Sequence, residues 1–194
     1  MEKIKIPDVN NFQIPQAEYD TLFIDPPIIA IVGERGDGKT LFMTALGYLY
    51  YEVDGYTIWS NYKIKGYPTK PFTFDDLASF PEDLHDAVIL LDEAHVGVDA
   101  YQALMKRVKD ITDFTTQIRK RNVIFIYSTQ RLRTVAKRLR DMTNYYIEMQ
   151  KTNIKGISDA FVFDLQNEQE MIHMFRFDGR QFFNYYNTRE LIEL

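Results

Sequence analysis

The chain has 194 residues, 45% of them apolar and 26% charged, which is the composition of a soluble globular domain and not of a disordered or fibrous chain. It contains no cysteine, which excludes disulfides, thiolate metal sites and cysteine nucleophiles. The net charge of −5 hides an asymmetry: the segment from Lys106 to Arg140 carries +9 and the remainder −14, so a polyanion-facing surface is expected there, the plain alternative being a solvated basic face.

This length suits one α/β domain. Residues 1–27, with Pro7, Pro15, Pro26 and Pro27 among polar residues, read as an arm lying over a core. Residues 28–194 read as a single domain, with a core over 28–150 and a β-rich extension over 151–194. Ile28 to Val32 is apolar and β-branched, which predicts a buried parallel strand ending at Gly33. A helix follows from about Lys39, apolar over much of its circumference through Leu41, Met43, Ala45, Leu46, Leu49 and Tyr50. Tyr56 to Ile64 predicts a second strand, Gly66 to Pro71 a break, and Phe74 to Phe80 a short helix.

Ala87 to Leu91 predicts another buried strand. Leu104, Val108, Ile111, Phe114 and Ile118 fall on one helical face, and Val123 to Tyr127 predicts a third core strand. Leu132, Val135, Ala136 and Leu139 form the stripe of a further short helix, with Arg133, Lys137 and Arg140 grouped away from it. Tyr145–Met149, Phe161–Leu165, Met171–Phe177 and Gln181–Tyr186 then read as strands, the last two flanking Asp178-Gly179 as a hairpin. Strands alternating with helices and then a run of strands predict a three-layer α/β core with a mostly parallel sheet and a C-terminal antiparallel extension. No apolar run approaches the roughly 20 residues of a membrane span. Met1-Glu2-Lys3-Ile4-Lys5 does not begin a secretory signal, so a cytoplasmic location is expected.

Gly33-Glu34-Arg35-Gly36-Asp37-Gly38-Lys39-Thr40 matches GxxxxGK[ST] between a predicted strand and a predicted helix, so the fold class expected for the α/β core is that of a P-loop NTPase, RecA-like. Glycines there let backbone N–H groups curl around phosphate, and the helix beginning with Lys39, Thr40 and Leu41 offers unpaired N–H groups and the positive end of its dipole. Lys39 is expected to reach the β and γ phosphates of ATP, and the Thr40 hydroxyl to coordinate Mg2+. Val88-Ile89-Leu90-Leu91-Asp92-Glu93 brings Asp92 to a strand end, where it can hold the metal through its water shell, and puts Glu93 where it can orient or deprotonate the attacking water. Ser128-Thr129-Gln130 ends the next core strand. If that strand neighbours the other two, Gln130 sits beside the γ-phosphate.

On these residues the chain resembles the FtsK/HerA superfamily of DNA-pumping ATPases, particularly small viral members that package genomes. The resemblance runs from about Ile28 to Tyr146, on GERGDGKT, VILLDEAH and Arg119 placed eleven residues before the Gln130 of IYSTQR. It implies an ATP-hydrolysing, magnesium-dependent translocase on double-stranded DNA, built as a homo-oligomeric ring, usually a hexamer, with capsid vertex proteins as further partners and the virion vertex as a second location. It makes Lys39, Glu93, Gln130 and Arg119 the catalytic group, Arg119 being the arginine finger and Arg121 its reserve. The resemblance extends to Zot-like proteins of filamentous phage assembly. Those usually carry a membrane segment and extra domains, and for want of these here packaging is preferred.

DNA contacts are expected from Arg131, Arg133, Lys137, Arg138 and Arg140, with Lys106, Arg107 and Lys109 next. Two other readings compete. Asp92-Glu93-Ala94-His95 spells the motif of DEAH helicases, but too few residues follow Tyr146 for a second ATPase lobe. A nucleotide-dependent switch or scaffold would show slow turnover indifferent to DNA.

Overall fold

The computed structural model describes residues 27–73, 76, 80–93, 111–135, 137–166 and 170–185, with backbone alone for 111–115. The strands in chain order are β1 (Ile28–Val32), β2 (Thr57–Ser60), β3 (Thr69–Pro71), β4 (Ala87–Leu91), β5 (Val123–Thr129), β6 (Tyr145–Lys151), β7 (Ile157–Asp164) and β8 (Glu170–Asp178). The helices are α1 (Lys39–Asp54), α2 (Ile111–Lys120) and α3 (Lys137–Met142), and 3-10 turns cover Leu132–Thr134 and Gly179–Phe182. All eight strands form one sheet in the order β3-β2-β4-β5-β1-β6-β7-β8. The first six pair in parallel, and β7 and β8 continue it antiparallel.

Each residue of β1 and β4 is buried, because helices cover both faces of the sheet. Ile29, Ile31, Val88, Leu90, Ile124 and Ile126 point to the side holding α1. Ile28, Ala30, Val32, Ile89, Leu91 and Phe125 point to the other, where Ile118 of α2 and Leu139 of α3 pack. The two-residue period of the strands therefore sorts one apolar run into two cores and three layers.

The apolar girth of α1 has a second cause besides the sheet. Phe42 meets Phe175 and Phe177 of β8, and Tyr48 meets Phe182 and Tyr185 beyond it. The helix is thus buried from Phe42 to Tyr50, lying between the sheet and the C-terminal segment. A helix enclosed on several sides loses its polar face.

Four expectations are corrected. Thr69 to Pro71 is an edge strand paired with β2 and not part of a break; Pro71 is its last residue, where a missing donor is tolerated. The second strand is only Thr57–Ser60.

The stripe from Leu132 to Leu139 is not one helix: the chain is extended at Val135 (φ −79°, ψ 144°), between a 3-10 turn and α3. The Thr134 hydroxyl donates to the Arg131 carbonyl at 2.7 Å, a local bond that competes with helix, and Val135 buries its side chain beside Leu139.

Asp178-Gly179 is not a hairpin, and no strand follows it among the described residues. The Asp178 carboxylate accepts the Arg180 N–H at 3.1 Å and starts a 3-10 turn, which sends Phe182 and Tyr185 onto α1. The arm, Leu104, Val108 and most of Phe74–Phe80 lie outside the described residues.

Candidate active site

The parallel strands all end at one edge of the sheet, and β5 stands between β1 and β4. Beyond β1 the chain turns through Gly36 (φ 90°) and Gly38 (φ 89°), left-handed conformations that side chains disfavour, and enters α1. The Asp37 carboxylate folds into this turn and accepts the Glu34 N–H at 2.6 Å, while the Asp37 N–H donates to the Glu34 carbonyl at 3.2 Å. Lys151 at the end of β6 lies 3.7 Å from the other Asp37 carboxylate oxygen.

The loop is also backed by β6 and β7. A Cβ on Gly33 would fall 2.6 Å from the Met149 carbonyl oxygen, and one on Gly38 would fall 2.9 Å from the Ser158 hydroxyl. Gly33 has no room for a side chain against main chain, and at Gly38 the left-handed φ disfavours one besides the hydroxyl contact.

Lys39 arches back so that its ammonium donates to the Glu34 carbonyl at 2.9 Å. Burial pushes its pKa below the ordinary value, against the opposing pull of Asp92, Asp37 and Glu93. A phosphate at this position would supply the counter-charge that burial withholds. Glu34, Arg35 and Gly36 are exposed at the tip of the loop, and Leu41 packs part-buried against the α1 side of the core.

Asp92 follows β4 and is almost wholly buried. Its Oδ2 accepts the Thr40 hydroxyl at 2.9 Å, and its Oδ1 accepts the hydroxyl of Ser128. Burial raises the carboxyl pKa above its usual range, while these two hydroxyls pull it down. Its main chain is held by Asn61: the Asp92 N–H donates to Asn61 Oδ1 at 2.8 Å, and Asn61 Nδ2 donates to the Asp92 carbonyl at 3.1 Å. Glu93 follows with φ 51°, uncommon for a residue with a side chain, and its N–H donates to Ser128 Oγ at 3.0 Å and Asp92 Oδ1 at 3.1 Å.

Lys39, Thr40, Asp92 and Glu93 therefore share one edge of the sheet. Gln130 is exposed at that edge, one residue beyond the pairing of Thr129 with Val32. Asn61 and Ser128 went unnoticed as site residues. The signal for Ser128 was available, since it lies one residue before the end of β5; Asn61 carries none, because the sequence reads it as part of the strand Tyr56 to Ile64 and only the shorter β2 leaves it beyond a strand end.

Arg119 lies at the opposite edge. It is exposed in the last turn of α2 and lines a recess with Ile28, Asp141, Asn144 and Gln166. Ile28 begins β1, so Arg119 is about 16 Å from its own loop at the usual strand rise. Arg121 is tied down, donating to the carbonyls of Phe80 at 3.1 Å and Pro81 at 2.7 Å. Arg131, Arg133, Lys137 and Arg138 are exposed; Arg140 is half-buried and donates to the Arg133 carbonyl at 3.4 Å. Lys106, Arg107 and Lys109 lie outside the described residues.

A strand, glycine turn and helix beside an acidic strand end, with a third strand inserted between, define a P-loop nucleoside triphosphatase fold. Within that class the chain belongs to the zonular occludens toxin (Zot) family, which matches residues 62–186 and so begins beyond the glycine turn. No curated protein matches the chain. Among solved structures, the N-terminal domain of zonular occludens toxin from Neisseria meningitidis is similar, with a TM-score of 0.56 at 14% identity, covering 84% of this chain and 100% of that one. The genome packaging NTPase of Sulfolobus turreted icosahedral virus 2, in complex with AMP, gives 0.53 at 12% identity, over 76% of this chain and 96% of that one. The conjugation coupling protein TcpA with ATPγS gives 0.52 at 12%, over 80% of this chain and 60% of that one. At such identities the likeness is one of fold.

Proposed function

We propose that this chain is a magnesium-dependent ATPase that couples hydrolysis to movement of double-stranded DNA during packaging or assembly of a virus particle, as a homo-oligomeric ring of about six subunits, the number resting on the resemblance alone. The observation that carries the reading is the contact of Thr40 with buried Asp92 at the mouth of the glycine turn, with Glu93 next in the chain. One hydroxyl and one carboxylate, with no cluster of three or more acidic or histidine side chains among the described residues, suit a magnesium ion that arrives with the nucleotide and keeps most of its waters. In this reading the N–H groups of Gly33–Leu41 and the Lys39 ammonium hold the phosphates, Thr40 and Asp92 hold the metal, Glu93 takes the proton of the attacking water and Gln130 orients the γ-phosphate. The metal would offset charge on the β and γ oxygens.

Arg119 stands too far from its own loop to serve it, so a finger role requires a neighbouring subunit. Arg131, Arg133, Lys137 and Arg138, exposed just beyond Gln130, are the proposed DNA contacts. Similarity to a DNA-packaging ATPase of Sulfolobus turreted icosahedral virus supports a DNA substrate. Zot family membership supports a second form of the reading, in which the ATPase drives extrusion or assembly of the particle. Among the described residues no helix is long and apolar enough to cross a membrane.

The test is negative-stain imaging with ATP and duplex DNA, alongside ATPase rates with and without DNA. A DNA-threaded ring with stimulated hydrolysis is expected. Weak turnover indifferent to DNA would overturn the motor and leave a nucleotide switch.

A further inference from the structure

We propose that Asn61 is a positioning residue for hydrolysis, its carboxamide acting as an added rung of the sheet that holds Asp92 and Glu93 in their working geometry. This rests on the ATPase reading above. In the register of β2 on β4, Ser60 stands opposite Leu90. The Asn61 N–H carries the ladder one step further by donating to the Leu90 carbonyl at 3.3 Å. Main-chain pairing of the two strands ends there, and the side chain of Asn61 takes it over. Its Oδ1 accepts the Asp92 N–H and its Nδ2 donates to the Asp92 carbonyl, at 2.8 and 3.1 Å. An amide side chain carries one acceptor and one donor group, as a peptide unit does, so it satisfies both main-chain groups of a residue beyond the strand end.

The consequence falls on the two acidic side chains. With its backbone clamped from the β2 side, Asp92 keeps its carboxylate between Thr40 and Ser128. Ser128 then grips the Glu93 N–H from the β5 side. Held from both flanks, Glu93 adopts its left-handed φ of 51°, which sets the direction in which its side chain leaves the turn. Strained backbone of this kind persists only where its surroundings over-determine it. Asparagine fits this task closely. Ionised aspartate would turn a second acceptor toward the Asp92 carbonyl, and alanine would leave both groups unpaired.

The test uses the full chain with Asn61→Ala and Asn61→Asp. Three quantities are measured: ATP turnover with Mg2+, affinity for a fluorescent ADP analogue with and without Mg2+, and thermal melting. The expected result is a fall in kcat of about 10- to 100-fold with KM little changed, as for outer partners of a metal site. Metal-free ADP affinity should stay at the wild-type level, while the tightening produced by Mg2+ shrinks. Wild-type turnover in either folded variant would overturn the proposal. So would loss of metal-free affinity in step with turnover, since that marks general damage. If Asn61→Ala does not fold, Asn61→Asp, which keeps one of the two bonds, must show the same split. Lys39→Ala run in parallel separates the two readings: hydrolysis at the wild-type rate in that variant would sink the ATPase reading itself, whatever Asn61 does.

Discussion

At the C-terminal edge of the sheet the ends of β2, β4 and β5 and the start of α1 bring Asn61, Asp92, Ser128 and Thr40 into one hydrogen-bonded group, whereas at the opposite edge Arg119 stands exposed over a shallow recess. The first edge is arranged within one chain: its buried carboxylate has partners and its ammonium rests on a loop carbonyl. The second offers a cation about a strand length from any phosphate its own loop could hold. Buried polar groups must be satisfied by the chain that buries them, while an exposed guanidinium can wait for another molecule.

The largest effect expected from breaking this contrast is at Lys39. Lys39→Ala should abolish ATP hydrolysis in a phosphate-release assay, because Lys39 carries the buried ammonium held over the loop. Measurable turnover at the wild-type rate would remove the loop from the chemistry. Next is Arg119→Ala, expected to lower turnover by about 10³-fold if the finger acts between subunits. Mixing it with Lys39→Ala protein should restore part of the activity, since some interfaces then join an intact loop to an intact arginine. Failure of every ratio, with assembly checked by sedimentation, would leave the two edges unconnected.

Glu93→Gln should lower turnover by about 10²-fold or more while ATP still binds, since the amide keeps the shape but cannot accept a proton. Near-normal rates would take the base role away from it. A smaller change is expected at the surface beyond Gln130. Replacing Arg131, Arg133, Lys137 and Arg138 with glutamine should weaken duplex binding and flatten its salt dependence by roughly one unit of slope per lost phosphate contact. An unchanged slope would move the DNA surface elsewhere.

The smallest effect is reserved for Arg121→Ala. This arginine is bonded to two carbonyls and stacks near Phe80, so its loss should cost about 1 kcal/mol of stability in denaturant unfolding and leave hydrolysis intact. A large kinetic effect with normal stability would exchange the parts given to Arg119 and Arg121.

Much of this was determined by the sequence itself. Ile28–Val32 and Ala87–Leu91 could be read residue for residue as buried strands, because a strand covered on both faces is a continuous apolar run, here ended sharply by Pro27 and Gly33 in one case and Asp86 and Asp92 in the other. The glycine turn with Lys39 and Thr40 was equally legible, since the spacing of its glycines reflects a local backbone need. Tertiary structure decided what depends on neighbours distant in the chain. Val135 breaks a helix that periodicity favours, because burying its side chain in the second core and the local Thr134 bond outweigh one more helical turn. Asp178-Gly179 has hairpin chemistry, yet Phe182 and Tyr185 gain more by covering α1 than by pairing with an edge strand. Asn61 shows the limit most clearly. Its bond to Asp92 joins residues 31 apart, and no local pattern encodes it, because it exists only where the pairing of β2 with β4 brings the two strand ends together.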